Sequence, residues 1–414
     1  MKTDKFYKYA FVLAAAYIVV FLLMPGKKDE PTTPTPASGS GAVVLESTGE
    51  TFHPGEAAKV RLKNALPSVE GSPEANLVTI DGLCLASSVS LKRDGQPVDM
   101  RSVLDRITAC PSDRIEVKAG EEGTLSLDYL HTSLSTPGQY ELALTASDAA
   151  AVRYPLTATF SVENRGFLGR MWDLLFYQPL YNLLILLVSV LPGYDLGWAI
   201  ILLTIIIRLI LLIPNQKALE SQKKLQLVQP KIAEIQEKYK GDTKKIGEET
   251  MKLWKENGVN PMGSCLPLLL QMPFLIALYY AVSHGLELSS TYYLYEPLKG
   301  FAVSAVNSNF LGILDLSKPN IYVLPVLLVV LQWYQMHLTV GRAAKETPKK
   351  AVSTETKADP NRAMNQAMKY VMPLVIGVMS ISFPAGVAVY WGMSTLFGIA
   401  PQLWVNKMTP ARLK

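Results

Sequence analysis

The chain has 414 residues, 49% apolar and 18% charged, with a formal net charge of +5. Several long uncharged runs at that composition exclude a soluble enzyme carrying one anchor and predict an integral membrane protein. The mild positive excess argues neither for nor against nucleic acid, and no DNA partner is expected. The three cysteines match no zinc pattern. His53, His131, His284 and His337 offer no spaced pair on one face, so neither a metal site nor a cofactor is expected.

Tyr9 to Met24 is apolar and follows Lys2, Lys5 and Lys8. No small-x-small cleavage site follows it, which favours a retained signal anchor over residues 1–26 with a cytoplasmic N-terminus. Residues 27–41, with PTTPTPASGSG, cannot bury enough surface to fold and form an extended linker. Over 42–165 the apolar period becomes two. Leu125, Leu127 and Tyr129 alternate with polar neighbours, as do Tyr140, Leu142 and Leu144, then Leu156, Ala158, Phe160 and Val162. That pattern predicts an antiparallel β-sandwich of spacer or docking type, since no catalytic constellation accompanies it. Cys84 and Cys110 lie in this domain and are candidates for a disulfide if it faces an oxidising compartment.

Residues 166–194 begin with FLGRMWDLLFYQP, the composition of a helix lying in the membrane interface. The apolar part after it, Leu180 to Leu191, is short of the about 20 residues that a span needs. Charge parity gives the same answer: a crossing here would put the lysine-rich segment after Pro214 on the sandwich's side, against the positive-inside rule.

The second span, 195–214, reads LGWAIILLTIIIRLILLIP from Leu196 and carries Arg208 about six residues before its end. Insertion scales put a charge near a helix centre at about 2.5 to 3.5 kcal/mol, so Arg208 either snorkels out or faces a polar cavity. Thr204 lies one turn back on the same face.

Residues 215–260 contain ten lysines. Leu225, Val228, Ile232, Ile235 and Tyr239 recur at steps of three and four, and Gly241 with Asp242 ends that helix. A second helix from Thr243 folds back, with Ile246, Thr250 and Leu253 closing the seam of a cytoplasmic helical hairpin. The third span, 261–283, contains Pro267, Pro273 and the polar Gln271. An outer loop, 284–318, and a fourth span, 319–340, follow. A basic cytoplasmic loop at 341–365 leads to two short spans, 366–383 and 384–405, and the chain closes with a basic tail at 406–414. Six spans put both termini in the cytoplasm and the β-domain on the outer side, the periplasm if the membrane is a bacterial inner one.

Three motifs, TIIIRLILLIP (Thr204 to Pro214), NGVNPMGSCLPLLLQMPFLIALYYA (Asn257 to Ala281) and FPAGVAVYW (Phe383 to Trp391), make the chain resemble the YidC family of membrane protein insertases. The resemblance covers about Gly166 to Lys407 and implies a bacterial inner-membrane protein of the Gram-negative type, not an enzyme, with a five-span core behind the extra first span. It implies a hydrated groove open to the cytoplasm and to lipid, with Arg208 as its central charge. Thr204, Tyr390 and Trp391 match groove positions, as do Gln271 and Met272 less closely. It further implies nascent membrane proteins as substrates and the Sec translocon as partner, with the ribosome and the signal recognition particle receptor met through the hairpin. The β-domain is smaller than in most members with the extra span, and the short tail does not suit a ribosome contact. A transporter or channel for an anionic solute is the rival reading. No inverted repeat and no acidic residue deep in a span supports it.

Overall fold

The structure, a computed structural model, describes residues 42–49, 51–68, 76–81, 89–99, 114–239, 241–260, 266–340 and 367–408. The expected anchor, linker, Cys84 and Cys110 pair and 341–365 loop lie outside the described residues. Two compact units share the chain. Among the described residues, one takes those from 42 to 178 together with 284–304, and the other takes those of 179–283 and 305–408.

Among the described residues the first unit has ten strands: β1 (Val43–Ser47), β2 (Thr51–Phe52), β3 (Lys59–Asn64), β4 (Val78–Asp81), β5 (Val89–Arg93), β6 (Gln96–Pro97), β7 (Arg114–Val117), β8 (Glu122–Ser126), β9 (Gly138–Asp148) and β10 (Arg153–Val162). They form a three-stranded sheet, β1-β3-β8, and a larger one in the order β2-β10-β9-β4-β7, to which β5 and β6 attach through β9. Period-two alternation sends Tyr140, Leu142 and Leu144 of β9 and Leu156, Ala158 and Phe160 of β10 into one core with Val43, Leu45, Val60 and Leu62 of the smaller sheet.

Two details differ from the expected antiparallel sandwich. The short β2 runs parallel to β10, pairing Thr51 with Ser161 and Phe52 with Val162. There the Phe52 ring meets Phe160 edge-on, with centroids 5.5 Å apart. The second detail is that β8 ends at Ser126, and Asp128–Leu130 forms a 3-10 turn. Tyr129 and Leu130 are both buried, and two successive inward side chains cannot be met by a strand, whose neighbours point to opposite faces.

Asn64, at the end of β3, is buried. Its amide donates to the carbonyls of Asn76 and Val117, each at 2.9 Å, and its oxygen accepts from the Leu66 backbone at 3.1 Å. One side chain thus satisfies backbone groups from both sheets' margins.

Residues 284–304, expected as part of a single outer loop, belong with this β-unit. The Asp128 carboxylate accepts from the backbone N–H groups of Leu288 (2.7 Å) and Ser289 (2.5 Å), capping the 3-10 helix Leu288–Tyr293 from another segment. Tyr293 donates to the Pro54 carbonyl at 3.1 Å. Arg165 bridges Glu56 (2.7 Å) and Asp173 (2.9 Å), and its guanidinium lies 6.0 Å from the centre of the Tyr293 ring.

Helix α1 (Phe167–Trp172), a π-helical turn (Asp173–Tyr177) and α2 (Gln178–Val190) follow without a break. This run of 24 residues is the one helix among the described residues long and apolar enough to cross a membrane. Helix length therefore does not separate an interfacial helix from a span here, and charge parity alone carries the interfacial expectation.

In the second unit α3 (Leu196–Ile210) is followed, after Leu211, by α4 (Leu212–Lys238). The helix break falls at Leu211 rather than at Pro214. Pro214 sits in the first turn of α4, where its missing N–H has no intrahelical acceptor to lose. Next comes α5 (Thr243–Glu256), begun by Asp242, whose side chain accepts from Lys245 N at 3.0 Å, after Gly241 turns at φ 91°. Helices α4 and α5 pack as a hairpin around Val228, Ile232 and Val259, with Leu225, Leu253 and Trp254 against them.

Helix α6 (Leu266–Ser283) precedes a small hairpin, β11 (Asn309–Phe310) and β12 (Leu314–Asp315), then α7 (Val323–Val340). A π-helical turn (Ala367–Val371) leads into α8 (Met372–Ser380), and α9 (Ala385–Met408) ends the described chain. Helix α9 packs on α3, α6 and α7, while α8 packs on α7. Gly377 makes the last contact possible, since a Cβ there would lie 2.3 Å from Val329.

The segment 305–322 organises the starts of three helices. Asn307 exchanges backbone bonds with Tyr194 and Leu196 at the head of α3, where the Asp195 carboxylate also accepts from Gly197 (2.8 Å) and Trp198 (3.0 Å). Asn320 accepts from Val323 and Leu324 at the head of α7. The carbonyls of Leu316 and Lys318 accept from Gly386 and Ala385 at the head of α9. The FPAG motif fits this junction. Pro384 has no N–H that would need an acceptor, and a Cβ on Gly386 would press on Ile200, Val282 and the Leu316 carbonyl. Asp315 anchors the same segment through Ser317, Ser308 and Lys318, and chiefly the Ser317 hydroxyl bond holds its carboxyl at about 2.

Replacing Asn64 with Ala removes a buried bond to the Val117 carbonyl and a part-buried one to that of Asn76. Asn64→Ala should destabilise the β-unit by about 1 to 3 kcal/mol. Hydrogen exchange of the β9 amides in the full chain would measure the loss, and unchanged protection would contradict the bridging role.

Candidate functional site

Helix α3 is apolar except at Thr204 and Arg208. Thr204 is fully buried, and its hydroxyl donates to the Ile200 carbonyl at 2.6 Å, a bond back along its own helix. Arg208 lies in the last turn, nearer the helix end than the sequence suggests, because α3 stops two residues later. Carbonyls at a helix C-terminus carry partial negative charge and favour a cation there. Leu209, Ile210, Leu212 and Ile213 are exposed, so the apolar surface continues past the arginine. The Arg208 Nε is itself buried and has no hydrogen-bond partner among the described residues. The Tyr390 hydroxyl on α9 is within its electrostatic reach.

Tyr390 is almost fully buried, and Gln271 of α6 donates its amide N–H to the Tyr390 hydroxyl. The same nitrogen reaches Ser394 Oγ at 3.3 Å. Tyr390 and Ser394 are one turn apart on α9, so together they present a polar stripe toward α6. The structure thus joins Gln271 and Tyr390, with Arg208 within electrostatic reach of the Tyr390 hydroxyl. Thr204 is turned into its own helix. Met272 is half-buried, as is Trp391. Thr204 and Tyr390 are closed from solvent, whereas Arg208, Gln271, Met272 and Trp391 retain partial exposure.

A second polar contact was not among the expected site residues. Thr395 donates to the Trp391 carbonyl at 2.9 Å and approaches Gln332 Oε1 of α7 at 3.3 Å. Gln332 and Thr395 are both buried. The i to i+4 offsets from Tyr390 to Ser394 and from Trp391 to Thr395 are visible in the sequence. Which helix each stripe faces is not. Two surface clefts lie away from Arg208. One on α5 is lined by Lys244, Met251, Lys252 and Lys255, and the other lies beside Tyr293, with Arg170 and Gln178.

Residues 187–412 match the family described as 60Kd inner membrane protein. A Wolinella succinogenes protein is 36% identical over 238 residues, which cover 57% of this chain and 38% of that relative. An Oceanobacillus iheyensis protein is 34% identical over 250 residues, covering 58% of this chain and 86% of its own length. A Clostridium perfringens protein is 37% identical over 207 residues, covering 49% and 76%. All three carry the name membrane protein insertase YidC. The chain thus spans little more than a third of the Wolinella relative but most of the other two. The matched region begins beyond the β-sheet domain and contains α3 through α9, with Arg208, Gln271 and Tyr390, and the chain belongs to the 60Kd inner membrane protein family, that of the YidC insertases.

Proposed function

We propose that this polytopic inner-membrane protein inserts and folds other membrane proteins, acting alone on small substrates and beside the Sec translocon on larger ones. The observation that carries the reading is the buried Nε of Arg208, without a hydrogen-bond partner among the described residues, on a helix apolar except for it and Thr204. A buried cation without its full set of acceptors is costly, and it is relieved by an acidic or carbonyl-rich segment that arrives from outside the protein. An incoming chain has the converse problem. Its polar flank loses water bonds on entering hydrocarbon and regains them at a polar site, so the barrier falls without ATP.

In this reading Arg208 receives the polar flank of the substrate. Gln271, Tyr390 and Ser394 exchange their mutual bonds for bonds to the substrate backbone, while Thr204, Met272 and Trp391 shape the wall. The short apolar helices support a locally thin bilayer: α3 has 15 residues, about 22 Å at 1.5 Å per residue. The α4–α5 hairpin is the proposed meeting point for the ribosome and the signal recognition particle receptor, with α4 leaving the membrane on the cytoplasmic side and the β-domain periplasmic. The Asp173 helix, by charge parity, lies in the outer interface.

The direct test places the purified protein in liposomes and scores protease protection of a short single-span substrate with an acidic outer tail. Protection above that of empty liposomes, without ATP or Sec components, is expected. Its absence from a folded, correctly oriented preparation would overturn the autonomous activity. In the same assay Arg208→Ala should lower protection several-fold and Arg208→Lys should retain more of it, whereas equal activity of Arg208→Ala would leave only a snorkelling arginine.

Tyr390→Phe removes the acceptor for Gln271 and should cost about 0.5 to 1.5 kcal/mol of stability in detergent. Its effect on insertion should exceed that of Asn64→Ala, read as initial rate of tail protection. Deleting residues 42–165 should leave insertion largely intact, a result that a β-domain acting as the substrate-binding part would not give.

A further inference from the structure

The β11–β12 hairpin is short, and its tip is apolar. Ile313 is 76% exposed and Leu311 is 63% exposed, while Phe310 and Leu314 on the same two strands are buried. The turn closes with Ile313 N donating to the Phe310 carbonyl at 3.2 Å. Leu311 has φ 55° and Gly312 has φ 71°, the paired positive angles of a primed hairpin turn. The first of those positions suits Gly, which has no Cβ to crowd the carbonyl oxygen in the left-handed region, or Asn and Asp, whose short polar side chains bond locally there. Leu is a poor choice for folding there. A strained residue held by a well-fastened surround points to a use for that side chain.

The surround is well fastened. Residues 305–322 are tied by backbone and side-chain bonds to the heads of α3, α7 and α9, and Asp315 ties the hairpin's base to Ser308, Ser317 and Lys318. Phe310 packs under Gly197, where a Cβ would lie 2.1 Å from its ring, and meets Trp198 edge-on at 5.8 Å. The tip therefore projects from a rigid collar at one end of three helices.

Those helix heads carry further exposed aromatic and aliphatic residues: Tyr194, Trp198, Ile321 and Tyr322, the last 74% exposed. In a membrane protein, Trp and Tyr at helix ends mark the headgroup level. An apolar tip fixed at that level has lipid as its neighbour.

We infer that the Leu311–Gly312–Ile313 tip is a lipid anchor, inserted into the headgroup and acyl boundary of the outer leaflet, that holds the heads of α3, α7 and α9 at a set depth. The occupant is the membrane itself. The anchor takes from the proposed function only that these helices span the bilayer, and it is independent of insertion activity. Fixing three helix heads at the outer boundary leaves a short helix such as α3 to be accommodated by thinning on the opposite side, which is where Arg208 lies.

The test uses the full chain with Cys84, Cys110 and Cys265 replaced by Ser and a nitroxide attached through Ile313→Cys, in phosphatidylethanolamine and phosphatidylglycerol vesicles. Collision rates with oxygen and with a water-soluble nickel complex give depth. At 313 the oxygen-to-nickel ratio should exceed that of a label placed through Lys318→Cys several-fold, with the nitroxide at or below the lipid phosphates. Leu311→Cys should report the same side, which guards against a local effect of one substitution. Nickel access at 311 and 313 equal to that at 318 would overturn the anchor, even if the same preparation inserts substrate normally. Loss of insertion with labels that remain buried in lipid would instead overturn the proposed function and leave the anchor standing.

Discussion

A polar group removed from water must find its partner inside the protein, and in the helical unit this constraint decides what faces what. Gln271 reaches Tyr390 and Ser394, Thr395 reaches Gln332, and Thr204 turns to the carbonyl of its own helix. The bonds of Gln271 and Thr395 set the rotation of α9 against α6 and α7. The apolar contacts around them are less directional, because Ile and Leu pack against one another in many registers. Arg208 breaks the pattern, and that is why it carries the functional reading.

The same requirement holds at helix ends. The first N–H groups of α3, α7 and α9 have no partners within their own helices, and all three are met by residues of a single segment, 305–322, together with Asp195. One connection therefore aligns three helix heads. In the other unit, Asp128 serves the 3-10 helix at Leu288 in the same way, and Arg165 ties Glu56 to Asp173 beneath Tyr293. What looks like one outer loop in the sequence is two pieces of different allegiance, divided between Ser304 and Ala305.

In the helical unit these arrangements separate what holds the helices rigid from what is left costly. The collar and the close contacts at Gly377 and Gly386 hold the helices still. Among the described residues, the Arg208 Nε stands buried and without a hydrogen-bond partner near the end of α3. In the proposed reading a substrate's polar flank meets there a group that gains from its arrival.

Much was legible from residues alone. The change from a period of two to long apolar runs separated a β-domain from helices, and inward alternation in β9 and β10 named their core side chains. The heptad stripe ending at Gly241 marked the hairpin, whereas Thr204, expected to share a polar face with Arg208, is bonded back to its own helix. Such patterns are local, set by whether side chains recur every two or about 3.6 residues. Tertiary structure alone decided which helix each polar stripe of α9 addresses, that Tyr129 and Leu130 leave their strand, that β2 runs parallel to β10, and that 284–304 joins the β-unit. These depend on partners distant in the chain, such as Asp128 with Leu288 or Leu316 with Gly386. Hydrogen bonds and close approaches of that kind leave no period in the sequence, because either partner would look ordinary without the other.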